Sequence, residues 1–529
     1  MRYFDLNYML GRGMLGNGDY NMPEAILAQM DYLGIDRALV WSAEARDWSA
    51  VNGNRELLEF LEPFRERLFP CFVITPRDYY EKGTTDFYRA QCVSGRVRAF
   101  RICPKSGRSP VRECKFVLEE LAAYSPLVQI DTRELELRDY ADLEALARNF
   151  PSIHFVLGQK VWCDLDAAFN LMKCCKNVFL DTSLLHVRGT IELAAEHFGA
   201  ERLLFSTGHK NQYGAAVGAL AHATVSASDR EKIAHGNAEF LLGLPPSSVQ
   251  MTAPEILRKK PLWHAFACGE MLRDVEIIDA HTHQGGPALN GYLLPDSDPA
   301  AALPEMIRTM DEAGVSHSVV IGSRALCGDC LRGNRELAAQ AKTYRNRLRG
   351  YWVFNPHQCA ALSEEVLKKE FTDGFYVGFK IFSGYWKMQH DDRRFERMWN
   401  FAEQRGLPVL IHTWNDIEPL QNVVPRYPHV KFIIAHSGGG DTGRKDAVKL
   451  AAEYPNVFLD TCGTFCSSLP LAEAINVLGS ERFVFGSDAA YHNLSYELAA
   501  FLSIPLPDDQ LRPILCDTFR SLCCGLFKN

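Results

Sequence analysis

The sequence predicts an α/β chain built as two tandem (β/α)8 barrels of the TIM type. Three observations carry this. At 529 residues the chain is too long for one ordinary domain, and two of about 250 are the natural reading. Short motifs recur at a spacing of about 280 residues. In the second half, eight short apolar runs alternate with amphipathic helical stretches, the pattern of a closed parallel sheet wrapped in helices. A doubly wound open sheet usually has fewer strands and a Gly-rich phosphate loop after the first, and no such loop is present.

The repeat is specific. Gly53-Asn54-Arg55-Glu56-Leu57 returns as Gly333-Asn334-Arg335-Glu336-Leu337, and Met30-Asp31 with Gly34 returns as Met310-Asp311 with Gly314. Asn177-Val178-Phe179-Leu180-Asp181-Thr182 returns as Asn456-Val457-Phe458-Leu459-Asp460-Thr461, and Glu201-Arg202 as Glu481-Arg482. In the second copy the strand-like runs fall at 277–280, 318–321, 350–354, 377–382, 408–411, 431–435, 457–460 and 483–486. One intervening helix is expected over 394–403, because Phe395, Met398, Trp399 and Ala402 share one face at helical spacing. Gly406-Leu407-Pro408 stops it. Pro245-Pro246-Ser247-Ser248 closes the first copy, and a helical segment is expected over 253–272. The expected domains are therefore 1–244, a linker with a helix at 245–274, and 275–529.

Composition sets the outer bounds. With 47% hydrophobic and 23% charged residues the chain reads as globular, and a net charge of -8 argues against nucleic acid or an anionic membrane as partner. No window approaches the roughly 18 uninterrupted apolar residues of a membrane span. The start, Met1-Arg2-Tyr3-Phe4-Asp5, lacks a signal-peptide pattern, so a cytoplasmic location is expected. The 16 cysteines then read as reduced, small core residues. Cys327-Gly328-Asp329-Cys330 has no second CxxC beside it and reads as neither a zinc knuckle nor a redox pair.

Chemistry concentrates at strand ends of the second copy. His281 and His283 are spaced i, i+2 at the end of the first strand, which puts both imidazoles on one side, able to converge on one metal ion. Gln284-Gly285-Gly286-Pro287 then breaks the strand. Lys380 lies on strand 4, His412 ends strand 5, His436 ends strand 6 and Asp488 ends strand 8. The C-terminal strand ends are where barrel enzymes keep their active sites. Four histidines and an aspartate in that one topological place point to a metal-dependent enzyme.

These motifs carry a resemblance. Asp279-Ala280-His281-Thr282-His283, Leu410-Ile411-His412, Ala435-His436-Ser437-Gly438-Gly439 and Gly486-Ser487-Asp488 are similar to those of the amidohydrolase superfamily. The branch resembled is the amidohydrolase-related one that includes aminocarboxymuconate-semialdehyde decarboxylase and the resorcylate-type decarboxylases. The resemblance covers roughly 275–529 with specific motifs and 1–244 in fold pattern only. It implies that His281, His283, His412 and Asp488 hold one divalent ion, with Zn²⁺ the first choice and Mn²⁺ or a second metal as alternatives. It further implies that His436 orients or deprotonates a water and that Asp488 can shuttle its proton. Lys380 has two readings. In some superfamily members a lysine on this strand is carboxylated and bridges two metals. The first copy, however, carries Arg101 at the equivalent position, so the charge can instead serve the barrel interior or an anionic ligand.

The first copy keeps the frame without the ligands. Asn7 and Met9 stand for His281 and His283, Asp131 for His412, Gln159 for His436 and Gly208 for Asp488, with His209 one position off. It is expected to be non-catalytic. It is also expected to pair with the second barrel as an intrachain pseudo-dimer, with a homo-oligomer left open. The substrate is expected to be a small molecule. Loop residues that could shape its pocket are Arg324, His357, Tyr385, Trp386, Trp414, Asn415, Tyr491 and His492; Arg324 could bind a carboxylate and the aromatic rings could stack on a cyclic substrate. His317, His390 and His429 read as surface residues. Two reactions fit the ligand set: hydrolysis of a C–N or C–O bond by activated water, and non-oxidative decarboxylation of a cyclic or unsaturated acid. A metal-binding protein without turnover is the third alternative.

Overall fold

The computed structural model describes the chain except for residues 15–19, 159–164, 209–213, 252, 286–298, 464–467, 524–526 and 528–529. It divides into two compact units, the first taking in Met1–Arg258 and the second beginning at Lys259. The 245–274 stretch is thus split between them. Its helix is shorter than expected: Pro261 starts a helix over Pro261–Ala267, preceded by a 3-10 turn over Glu255–Lys259. Lys260 donates to the Leu506 carbonyl and Leu262 N–H to Asp508, which ties this helix into the second unit.

Each unit is an eight-stranded parallel sheet in sequence order. In the first, β1 to β8 are Phe4–Leu10, Arg37–Ser42, Leu68–Ile74, Ala99–Ile102, Leu127–Asp131, His154–Gly158, Val178–Asp181 and Leu203–Leu204. In the second, β9 to β16 are Ile278–His283, His317–Ile321, Leu348–Val353, Tyr376–Ile381, Pro408–Ile411, Lys431–Ile434, Val457–Asp460 and Phe483–Val484. Closure comes from the residue just past each last strand. Leu6 N–H donates to the Phe205 carbonyl at 3.2 Å, and Ala280 N–H to the Phe485 carbonyl at 2.8 Å. All eight strands expected in the second copy are present, β16 being cut short after Val484. Among the described residues, no helix is long and apolar enough to cross a membrane.

The repeated motifs hold the same joints in both barrels. Gly53 and Gly333 sit where helices touch: a Cβ there would lie 2.4 Å from Ala45 N and 2.2 Å from Ala325 N respectively. The next residue, Asn54 or Asn334, bonds both backbone groups of one strand residue, Val73 on β3 or Val353 on β11, at 2.7–3.0 Å. Arg202 and Arg482 donate to carbonyls at the end of the helix before β7 and before β15 respectively, and to the first residue of that strand, Val178 or Val457, satisfying groups a helix leaves open. Asp31 and Asp311 pair with Arg67 and Arg347.

Two sequence expectations change here. His390 is buried, its Nδ1 2.7 Å from the Ser383 hydroxyl, because the loop after β12 folds inward. His317 is only partly exposed, being the first residue of β10 with its ring against Phe527. His429 is exposed, as its position suggests.

Candidate active site

The site grows from β9. Its alternation turns His281 and His283 to one side, into the barrel mouth, and both are buried. The His281 Nδ1 lies 2.7 Å from Asp460 Oδ2 at the end of β15. A carboxylate can only accept, so Nδ1 carries the proton and Nε2 keeps its lone pair. That Nε2 faces Asp488, 3.6 Å from Oδ1, and the Lys380 amine, 3.1 Å away. His283 Nε2 meets the same Asp488 oxygen at 2.8 Å. One nitrogen from each histidine and one Asp488 oxygen therefore converge within 4.8 Å of one another.

His436 enters from the end of β14. Its backbone N–H donates to Asp460 Oδ1 at 2.6 Å, so one carboxylate orients two histidines. Its Nδ1 lies 3.3 Å from the Cys462 carbonyl, which again assigns the proton to Nδ1 and the lone pair to Nε2. His412, at the end of β13, stands one ring further out, 5.1 Å from His436 between centroids. Its Nδ1 is buried, with no hydrogen-bond partner among the described residues. His412 lies outside the converging set of His281, His283 and Asp488.

The backbone bends to aim these groups. Trp414, Asn415, His436, Ser437 and Asp488 all have φ between 47° and 69°, a region costing on the order of 1–3 kcal/mol for each non-glycine residue. Gly463 is required beside them, since a Cβ there would sit 2.8 Å from His436 Nδ1. Its N–H donates to Glu497, whose other oxygen takes His492 Nδ1 at 2.9 Å.

Electrostatics follow burial. Burial, with the Lys380 charge, holds His281 well below the ordinary imidazole range, and burial lowers His283 and His436. His412 is held well down by burial and by His436. These rings are neutral, the form that ligates metals. Burial alone would raise Asp488, but the hydrogen bond His283 Nε2 makes to its Oδ1 helps keep it well below the carboxylate range. Burial pushes Lys380 down to about 8 and Asp460 up to about 6. Burial acts to lower His492 too, yet its bond to Glu497 raises it.

The remaining expected residues divide. Tyr491 stacks on His283 with centroids 4.6 Å apart, and His492 Nε2 lies 3.8 Å from Asp488. Phe382, Tyr385 and Trp414 line His412 at 4.8, 5.3 and 5.7 Å, with Tyr385 57% and Trp414 44% exposed. Asn415 accepts from Gly443 N–H and so braces the turn after β14. Three others are not brought in. Arg324 is half exposed and paired with Glu336. His357 is exposed and bonded to the Trp386 carbonyl, while Trp386 donates to the Leu326 carbonyl. Cys330 is buried and donates to the Val353 carbonyl, and Cys327 is exposed.

Sequence reasoning missed Asp460, Cys462 and Glu497. Asp460 was visible as part of a repeated motif, but its counterpart Asp181 survives in a barrel without ligands, which makes the pair read as structural. Cys462 was hidden among many core cysteines. Only the contrast with Ser183 at the same place in the first copy could have marked it.

In the first barrel the corresponding groups close on themselves. Arg101 Nη1 donates to Asn7 Oδ1 and Gln129 Oε1, both at 3.2 Å, and Nη2 lies 3.6 Å from Asp131. Trp41 donates to the same Asn7 oxygen and lies under the guanidinium at 4.4 Å. A fixed cation thus joins the residues at the positions of His281 and His412. Gln159 and His209 lie outside the described residues.

The fold, with its group of residues that could hold a metal ion, is that of a barrel enzyme family that depends on metal. The chain belongs to the Amidohydrolase family, whose model matches residues 13–244 and again 278–518. The match over 13–244 extends the resemblance beyond the fold pattern expected for the first copy. No curated protein matches. Solved structures similar to it include a 5-carboxyvanillate decarboxylase from Sphingomonas paucimobilis (17% identity, TM-score 0.37), covering 47% of this chain and 99% of its own. A probable 2-pyrone-4,6-dicarboxylic acid hydrolase from Acinetobacter baumannii (18%, 0.37) covers 46% and 98%. A 2,6-dihydroxybenzoate decarboxylase from Rhizobium (15%, 0.36) covers 47% and 98%.

Proposed function

We propose that the second barrel, 275–529, is a metal-dependent hydrolase cleaving a C–N or C–O bond of a small molecule. One observation carries this reading: His281, fixed by Asp460 at Nδ1, turns its Nε2 lone pair onto the same carboxylate that His283 faces. Two neutral imidazoles and a carboxylate suit a divalent ion with borderline preferences, and Zn²⁺ is the first choice over Mn²⁺. His281, His283 and Asp488 would hold it, with His412 as the fourth ligand. When bound, the ion supplies Lewis acidity, which brings the pKa of water towards about 7. His436 keeps its Nε2 lone pair because Nδ1 faces the Cys462 carbonyl, so Nε2 can take a proton from the attacking water. Asp488, a carboxylate beside the same place, is the alternative base and can itself carry the proton from the water to the leaving group. Lys380 Nζ stands 3.1 Å from His281 Nε2, beside the place the ion would take, and offers positive charge to developing anionic oxygen.

A second reading rests on the aromatic wall. Phe382, Tyr385 and Trp414 around His412 form a flat-sided face suited to a cyclic acid, which favours decarboxylation in the same site. A panel of lactones, amides and aryl acids, followed for ¹⁸O incorporation from water and for CO₂ release, separates the two. Label uptake without CO₂ supports hydrolysis, and CO₂ without label overturns it. The first barrel, 1–244, is proposed to be non-catalytic and to act as an intrachain partner of the second. A 272–529 fragment that is soluble, monomeric and fully active overturns that partnership.

A further inference from the structure

Behind the converging set lies a second group of donors that the proposed chemistry does not use as ligands. Cys462 Sγ is 3.3 Å from His281 Nδ1, 3.4 Å from His436 Nδ1 and 3.5 Å from Asp460 Oδ1. One atom from each of His281, His436, Asp460 and Cys462 lies within 4.8 Å of the other three, and all four residues are buried. A thiolate, two imidazoles and a carboxylate are the donors of a four-coordinate thiophilic site, and ligand atoms around such an ion stand roughly 3.3–3.7 Å apart. The first barrel has Ser183 in place of Cys462, and there Ser183 N–H and hydroxyl both go to Asp181. The thiol therefore accompanies the histidines and is absent from the barrel that lacks them.

We propose that these four residues form a second, inhibitory site for a thiophilic divalent ion, exclusive of the first. His281 and His436 each keep their working lone pair on Nε2 because Nδ1 carries the proton. An ion on the Nδ1 side reverses both assignments: the two Nδ1 protons move to Nε2, the Cys462 thiol releases its proton to solvent, and the Asp460–His281 hydrogen bond opens. His281 then has no lone pair for the first ion, and His436 has none for a proton. The inference rests on the reading of His281 Nε2 as a ligand, and its principal readouts need no substrate.

The test is a Cd²⁺ titration of the full-length, metal-loaded protein and of Cys462→Ser, whose side chain has a precedent at Ser183. Exposed Cys174, Cys268 and Cys327 also bind Cd²⁺, so the difference between the two proteins is the quantity read. The expected difference is one extra equivalent of cadmium–thiolate charge-transfer absorbance per chain in the unsubstituted protein. Release of about one equivalent of resident ion should accompany it, with activity falling in parallel where a substrate is in hand. Cys462→Ser should keep its resident ion at the same Cd²⁺ concentration. Identical absorbance in the two proteins overturns the site, and a differential band without release of resident ion overturns exclusivity. Cys462→Ala repeats the comparison if the serine variant proves unstable. A protein that gains the differential band but turns over no substrate sinks the proposed reaction and leaves the site standing.

Discussion

At the scale of single residues, the most consequential contact is Asp460 with His281. The carboxylate fixes a tautomer, and partners of this kind typically govern metal affinity 10–100-fold. Asp460→Asn should therefore weaken metal binding by about that factor, measured by competition with a chromophoric chelator, while the fold is retained. His390 offers a second test. Burial pushes it down to about 4 from its ordinary 6.5, so the unfolded chain binds a proton that the folded one excludes. Its contribution is complete above about pH 6.5 and is lost as pH falls towards 4, up to about 3 kcal/mol by linkage. Urea unfolding of His390→Asn should show a flatter pH dependence over that window. An unchanged slope would place the acid sensitivity elsewhere. His390 also shows a limit of sequence reading: a polar residue in a connection looks exposed until the loop is seen to fold inward.

At the scale of elements, the repeats foretold more than strand positions. Gly-Asn in 53–54 and 333–334 is one joint used twice, with a helix drawn against its neighbour and an amide clamped to a strand residue. Gly333→Ala would drive a methyl into the Ala325 backbone and should cost on the order of 1–3 kcal/mol in urea denaturation. Strand and helix locations in the second copy were legible because apolar period and stop signals agree there. The helix in 253–272 was over-read because Pro254 and Pro261 break the pattern, leaving a 3-10 turn and a short helix. The histidines and Asp488 were legible as strand-end residues. Their grouping was not: whether His412 joins His281 or stands one ring away depends on turns with positive φ, and histidine, serine and aspartate do not announce such turns in sequence.

At the scale of the whole molecule, the chain carries one family pattern twice, with a possible metal site in the second copy and a guanidinium in the first. Metal analysis of the purified protein should give about one ion per chain, falling to near zero in His281→Ala with His283→Ala. Two ions that survive that double substitution would require a site elsewhere.

The Arg101 arrangement has a further consequence. Its cation is covalently part of the polypeptide, whereas the cation proposed for the second barrel must be acquired from the surroundings and can be stripped away. The halves of the molecule should therefore respond differently to scarcity. Under a strong chelator, hydrogen exchange at the ends of β9, β13 and β14 should quicken while the ends of β1, β4 and β5 keep their protection. One half of the chain would register the supply of metal, and the other would be deaf to it.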